Sequence, residues 1–327
     1  MILLWGSPDD EPMAMARASL ERAGANCFFL DHRRIFASEI DGTFSAAEGC
    51  RCTVTDGDAA FDLRDVSAAY VRGGNYLGYE EMLNRPRDDP LSVKASGFEL
   101  QLTASLDASD AMVVNRAEPS ATNNSKPCQL TVIRQAGLHI PDTLISNDRG
   151  AAERYLAGNP DSICKSISSV RSIVRRVSDA RRACLDDVKW CPTQFQRIVA
   201  GTNYRAHVVG DEVLAVRLES AELDYRYSRT TMVAAELPGD VAGKCRRLNA
   251  LLGLHFSGID LMRTPDDEWY CFEVNPSPGF SYFELGSGQP IGAALARLLV
   301  DADRGGSCPR APSRPEARAQ AGGGGAS

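Results

Sequence analysis

The sequence predicts an α/β (α+β) protein of several subdomains, and three observations support this. Strand and helix signals alternate over residues 1–116, which implies a parallel sheet covered by helices. Residues 194–218 carry three strand signals in succession, the last two joined by Gly210-Asp211, a two-residue hairpin turn. Near the C-terminal end, apolar runs at 256–262 and 269–276 flank Pro265-Asp266-Asp267 and read as a β-hairpin.

The first unit opens with a buried strand over 1–6, too short and without the basic leader of a signal peptide. A helix over 11–23 stops at Gly24, and strands follow at 26–30 and 68–72, the latter running into Arg72-Gly73-Gly74. The polar stretch 38–62 reads as an irregular loop with edge strands. A helix at 97–106 and a strand at 111–115 complete a small α/β domain over 1–116. The second unit, 117–188, begins at Asn123-Asn124-Ser125-Lys126-Pro127. Ser125 or Asn124 can cap a helix there, Pro127 suits its first turn and Gly137 stops it. Strands at 142–146, 162–166 and 172–177 and a helix at 149–157 follow. The third unit, 189–302, holds strands at 194–199, 204–209 and 212–218, a helix at 241–252, the hairpin and a helix at 291–300. Residues 303–327 turn to Gly, Pro, Ala, Ser and Arg, a composition that buries no core and predicts disorder.

Composition narrows the function. A net charge of -7 over 327 residues gives no support for a nucleic-acid or anionic-membrane partner, and no apolar run reaches the length of a membrane span. The 10 cysteines are scattered without a CxxC pair or a Cys/His cluster, which argues against zinc and suits a reducing cytoplasm. His32, His139, His207 and His255 are isolated and GxSxG is absent, so a hydrolase triad is unsupported.

The hairpin carries the chemistry. By period-two alternation Trp269, Cys271, Glu273 and Asn275 share one face, and Asp260 on the opposing arm can be brought across to them. Two carboxylates and an amide inside apolar strands call for a cation, and oxygen ligands without His or Cys suit magnesium. Lys126 at a helix start and Lys165 within Ile163-Cys164-Lys165-Ser166 offer point charges for phosphate, although Lys165 alone would read as a solvent-facing strand lysine. The small-residue loop after it, with Ser168, can fold amides and hydroxyls over phosphates. Gln196, Arg197, Ile198 and Val199 end a strand whose backbone can pair with an adenine edge. Arg205, Arg217 and Arg226 need anionic partners, either phosphates or protein carboxylates such as Glu212 and Glu219.

Taken in order, Lys126, Lys165, residues 196–199, Arg205, Asp260 and Glu273-Val-Asn275 resemble the ATP-grasp superfamily. They resemble in particular its RimK-like branch, which includes the ligases that macrocyclise microviridin-type peptides. Ser125-Lys126-Pro127 followed by Gly137-Leu-His-Ile-Pro141 fits the same pattern, and Asp224-Tyr225-Arg226 looks like the branch's Asp-Trp-Arg element with Tyr for Trp. The resemblance implies an ATP-grasp fold preceded by a small α/β domain, with ATP and Mg2+, or Mn2+ in its place, as cofactors. Lys126 and Lys165 would contact the α- and β-phosphates, and the backbone from Arg197 to Val199 would hold adenine. Asp260, Glu273 and Asn275 would hold the metal, and Arg205 and Arg226 would stabilise the moving phosphoryl group. The implied reaction phosphorylates a carboxylate and lets an amine or hydroxyl displace the phosphate. The carboxylate substrate would be a precursor peptide or a small molecule, and a homo-oligomer is compatible, since relatives are often dimers or tetramers. Ser168-Ser169 stand where relatives often carry glycine in the phosphate-covering loop. A second class, a nucleotide-binding sensor or assembly protein of the same fold without turnover, is distinguished by nucleotide binding with no ADP formed.

Overall fold

In a computed structural model that describes residues 1–46, 49–72, 85–86, 88–167, 175–177, 185–219 and 230–305, strand pairing organises the described residues into four sheets. In chain order the first part comprises β1 (Ile2–Gly6), α1 (Glu11–Arg22), β2 (Cys27–Asp31), β3 (Glu39–Ser45), β4 (Gly49–Asp56), β5 (Ala59–Asp62), β6 (Ala68–Arg72), α2 (Pro90–Ala108) and β7 (Met112–Val114). A parallel sheet of order β2-β1-β6-β7 forms its centre. Both faces of β1 are covered, so its apolar run need not alternate. Leu3 and Trp5 pack with Leu102 of α2, while Ile2 and Leu4 pack with Met13 and Leu20 of α1. Asp10 caps α1 by accepting from the Met13 amide at 3.0 Å.

Two expectations change here. Residues 38–62 form an antiparallel sheet of order β3-β4-β5, because Cys52 and Val54 alternate inward against Thr53 and Thr55 and close over α2. The second helix begins at Pro90, where Asp89 accepts from the Leu91 amide at 3.0 Å, well before Gly97.

The middle part comprises α3 (Ala117–Ala121), α4 (Lys126–Ala136), β8 (Thr143–Ser146), α5 (Arg149–Gly158), β9 (Ser162–Ser166), β10 (Arg175–Arg176) and β11 (Thr193–Arg197), its strands ordered β10-β9-β11-β8. Ser125 occupies the cap position of α4 without a side-chain cap bond, and Gly137 ends the helix at φ +94°. Strand β11, expected with the third unit, pairs with both β8 and β9 and belongs to this sheet.

The last part comprises β12 (Thr202–Val209), β13 (Glu212–Glu219), β14 (Thr231–Ala235), α6 (Gly239–Leu252), β15 (Phe256–Arg263), β16 (Trp269–Asn275), α7 (Ser281–Ser287) and α8 (Ile291–Asp303). Its antiparallel sheet has the order β14-β13-β12-β15-β16. One face packs on α4 and α6 through Ala206, Val208, Ile259, Leu261 and Val274. Beyond the other face, Phe280, Phe283, Leu295 and Leu299 join Ile2 and Leu4 of β1 in a shared core. The structure thereby ties the N-terminal sheet to the layer that carries the polar residues.

Candidate active site

The polar cluster is built from the register of three strands. In the β15–β16 hairpin Asp260 lies opposite Glu273 and Gly258 opposite Asn275, whereas Leu261 lies opposite Cys271. Phe272 is therefore an extra residue, a β-bulge that shifts the alternation. Trp269, Cys271 and Val274 turn into the core against α4 and α6, while Glu273 and Asn275 line a cavity on the opposite face. The expected single face from Trp269 to Asn275 is thus split by the bulge. Strand β12 continues the rows, with Arg205 opposite Asp260 and His207 opposite Gly258.

Each carboxylate is paired. Arg205, 5% exposed, donates to Asp260 Oδ1 at 2.7 Å. Its guanidinium lies across Gly258, where a Cβ would stand 2.2 Å from an arginine nitrogen, and its Cζ sits 5.4 Å from the Phe283 ring centroid. Lys126, 4% exposed, lies on the buried stripe of α4 with Gln129, Ile133 and Ala136 and forms an ion pair with Glu273. Gln129 docks the helix on β16, donating to the Val274 carbonyl at 2.7 Å and accepting from its amide at 3.3 Å. Burial opposes the charge on Glu273, but Lys126, Lys165 and Arg205 outweigh it and hold the carboxyl below the ordinary glutamate range. Lys165 on β9 is thereby brought from the middle sheet to the same centre.

A cavity of about 430 Å³ opens at this cluster, lined by Arg205, Asp260, Glu273, Asn275, Gly279, Tyr282 and Phe283. Asn275 Oδ1 accepts from the Ser277 amide at 2.9 Å, which fixes the amide plane. His207 is wholly buried and meets Phe283 edge-on at 5.1 Å; burial and then Arg205 hold it neutral. Among the described residues no group of three or more His, Cys, Asp and Glu gathers as a metal centre. The donor set is two carboxylates and an amide, whose oxygen chemistry fits magnesium bound jointly with phosphates.

The strand expected at the adenine is partly engaged within the protein. Gln196 is buried and donates to Thr143 Oγ1 at 3.0 Å. The Arg197 amide donates to the Asp142 carbonyl at 3.0 Å, and the Ile198 amide to the Asp161 carbonyl at 2.9 Å. Val199 is the next residue, buried and beyond the end of β11. Ser168 and Arg226 lie outside the described residues, as do Gly73, Gly74, the loop at 168–174, Asp224-Tyr225-Arg226 and the tail at 306–327.

Several positioning residues were not singled out from sequence. Gly258 could have been suspected as an interior strand glycine, which marks a close approach. Asn115 carries no such signal. It accepts from the His255 and Phe256 amides at 2.9 and 3.2 Å and donates to the Phe256 and Pro276 carbonyls at 2.7 and 2.6 Å.

No family model and no curated protein matches the sequence. Solved structures do match across nearly the whole chain. The macrocyclase MdnC bound with precursor peptide MdnA, from Microcystis aeruginosa MRC, superposes with TM-score 0.77 at 24% identity, covering 92% of this chain and 100% of that one. The ATP-grasp ligase PsnB, complexed with minimal precursor, Mg and ADP, gives TM-score 0.74 at 25% identity over 92% and 97% of the two chains. A RiPP-associated ATP-grasp ligase of Chryseobacterium gregarium, in complex with ADP and leader and core peptides, gives TM-score 0.80 at 21% identity over 96% and 99%. The fold is the ATP-grasp fold with a preceding small α/β domain. The chain is similar to ligases of the ATP-grasp superfamily, and the structures it resembles include peptide ligases.

Proposed function

We propose that this protein is an ATP-dependent carboxylate–amine ligase that modifies a peptide, forming an amide or an ester and releasing ADP and phosphate. The observation that carries this reading is that Arg205, Asp260, Glu273 and Asn275 line one cavity, with Lys126 paired to Glu273 and Lys165 favouring the charge on the same carboxyl. Ion pairs buried this way are poor sources of stability, which favours a role in the chemistry. The structures of PsnB with Mg and ADP support nucleotide and metal as cofactors of this site as well.

In this reading Asp260, Glu273 and Asn275 hold magnesium, which when bound neutralises phosphate charge. Lys126 and Lys165 exchange their protein partners for the α- and β-phosphates. The backbone around Val199 takes the adenine, since the amides of Arg197 and Ile198 are already used. The substrate carboxylate attacks the γ-phosphorus and the bond to the bridging oxygen breaks, releasing ADP. Arg205, held flat over Gly258, stabilises the charge on the transferred group. An amine then attacks the acyl carbon, loses a proton and expels phosphate; a hydroxyl in its place gives an ester.

Among the described residues no helix is long and apolar enough to cross a membrane. Cys245 and Cys271 are free, buried thiols, the state that a reducing cytoplasm keeps. ADP and phosphate release with Mg2+ and ATP tests the reading, with and without a pool of short acidic peptides carrying free amines. Release that depends on a peptide and vanishes in Glu273→Gln is expected. Nucleotide binding without peptide-dependent release from any pool would favour the non-catalytic sensor instead.

A further inference from the structure

The segment that follows the last candidate ligand is held from the N-terminal domain. Residues 276–280 run from Asn275 past the cavity at Gly279 to Phe280, which is fully buried. Asn115 donates to the Pro276 carbonyl at 2.6 Å. Glu11 accepts from Ser281 Oγ at 3.1 Å. Between these points stands Arg72, at the end of β6.

Arg72 is largely buried and its guanidinium is used on two sides. Nε and one terminal nitrogen meet the two oxygens of Asp10 at 2.6 and 3.1 Å, a bidentate pair that sets the plane of the group. The remaining nitrogen donates to Ser277 Oγ at 3.0 Å and to the Pro278 carbonyl at 3.1 Å. Ser277 in turn donates its amide to Asn275 Oδ1 at 2.9 Å. Asp10 is itself immobilised as the cap of α1. A continuous chain, Asp10–Arg72–Ser277–Asn275, therefore joins the N-terminal domain to the metal-binding edge of the hairpin.

We infer that Arg72 is a positioning residue for the metal site, acting through Ser277 on the side chain of Asn275. The inference rests on the metal site of the proposed function. An amide ligand must present its oxygen in one orientation, and partners behind the ligands commonly govern metal affinity by 10–100-fold. A backbone amide can orient Asn275 only if the turn bearing it is held, and Arg72 grips that turn at two consecutive residues. Lysine at position 72 would keep the charge but could not span Asp10 and the turn together.

Binding of ADP to the full chain, measured by calorimetry over a series of Mg2+ concentrations, tests this without turnover. For Arg72→Lys the Mg2+ concentration giving half the gain in ADP affinity is expected to rise about tenfold. ADP affinity without Mg2+ should be unchanged. Ser277→Ala, which spares Asp10 and the core, should shift the same midpoint in the same direction by about threefold, and it decides the matter if Arg72→Lys does not fold. Mg2+ curves that superimpose on the wild type in the folded variants would overturn the inference, leaving Arg72 a structural clamp. A wild-type protein whose ADP affinity ignores Mg2+ would instead refute the metal site itself, and the inference with it.

Discussion

The two faces of the β12–β15–β16 layer are made by residues of the same strands, yet they differ in kind. On one face Ala206, Val208, Ile259, Leu261, Cys271 and Val274 are buried at 0% exposure or close to it and pack on two helices. On the other, Arg205, Asp260, Glu273 and Asn275 face a cavity. The first face obtains its stability from apolar burial, which is insensitive to which ligand is present. The second pairs the buried cations Lys126 and Arg205 with the half-buried carboxylates Glu273 and Asp260, an arrangement that contributes little to stability. The sheet thus supplies a packed apolar wall from one side and a charged cavity wall from the other.

The sharpest way to separate the faces is to alter them in turn. Arg205→Met should lower ligase turnover by about 10²–10³-fold, as for other groups aimed at developing charge, while nucleotide binding is retained; steady-state rates beside ADP affinity check this. On the apolar face Leu261→Ala should cost about 3 kcal/mol of stability, visible as a lower denaturant midpoint, with kcat of the remaining folded protein unchanged. A loss of turnover without a loss of stability there would show that the faces are not independent.

Gly258→Ala probes the contact between them. Its added Cβ meets the Arg205 guanidinium rather than backbone, so the arginine must move. Turnover should fall about tenfold, in keeping with a misplaced electrostatic group, at a stability cost of about 1 kcal/mol. Unaltered turnover would mean that Arg205 need not lie flat over the strand. The smallest effect expected is that of pH on the ligand-free protein. The Glu273 carboxyl is held below the ordinary glutamate range in the folded protein, so the stability from its pairing is full above the unfolded value. That stability is lost as pH falls through the lower folded value. Glu273→Gln should remove this part of the acid dependence below the ordinary glutamate range, measured as melting temperature against pH.

Much of this is written in the sequence. Asp260, Glu273 and Asn275 stand out because polar oxygen donors are costly inside apolar strands unless something binds them. Gly137 and Gly210, both at positive φ, mark ends and turns that depend only on local backbone chemistry. The parallel order of the first sheet follows from alternating strands and helices.

What the chain alone leaves open is decided by pairing at a distance. Period-two alternation puts Cys271 and Glu273 on one face, and only hydrogen bonding to β15 reveals that Phe272 is the extra residue that parts them. The pattern of β11 suits either sheet, and its partners β8 and β9 assign it to the middle one. Arg72 reaches Ser277 across 205 positions of sequence, and Asn115 reaches Pro276 across 161. Local propensity and periodicity act over a few residues. Register and the meeting of domains are chosen by the burial and hydrogen bonding of the whole fold, and they turn readable residues into a site.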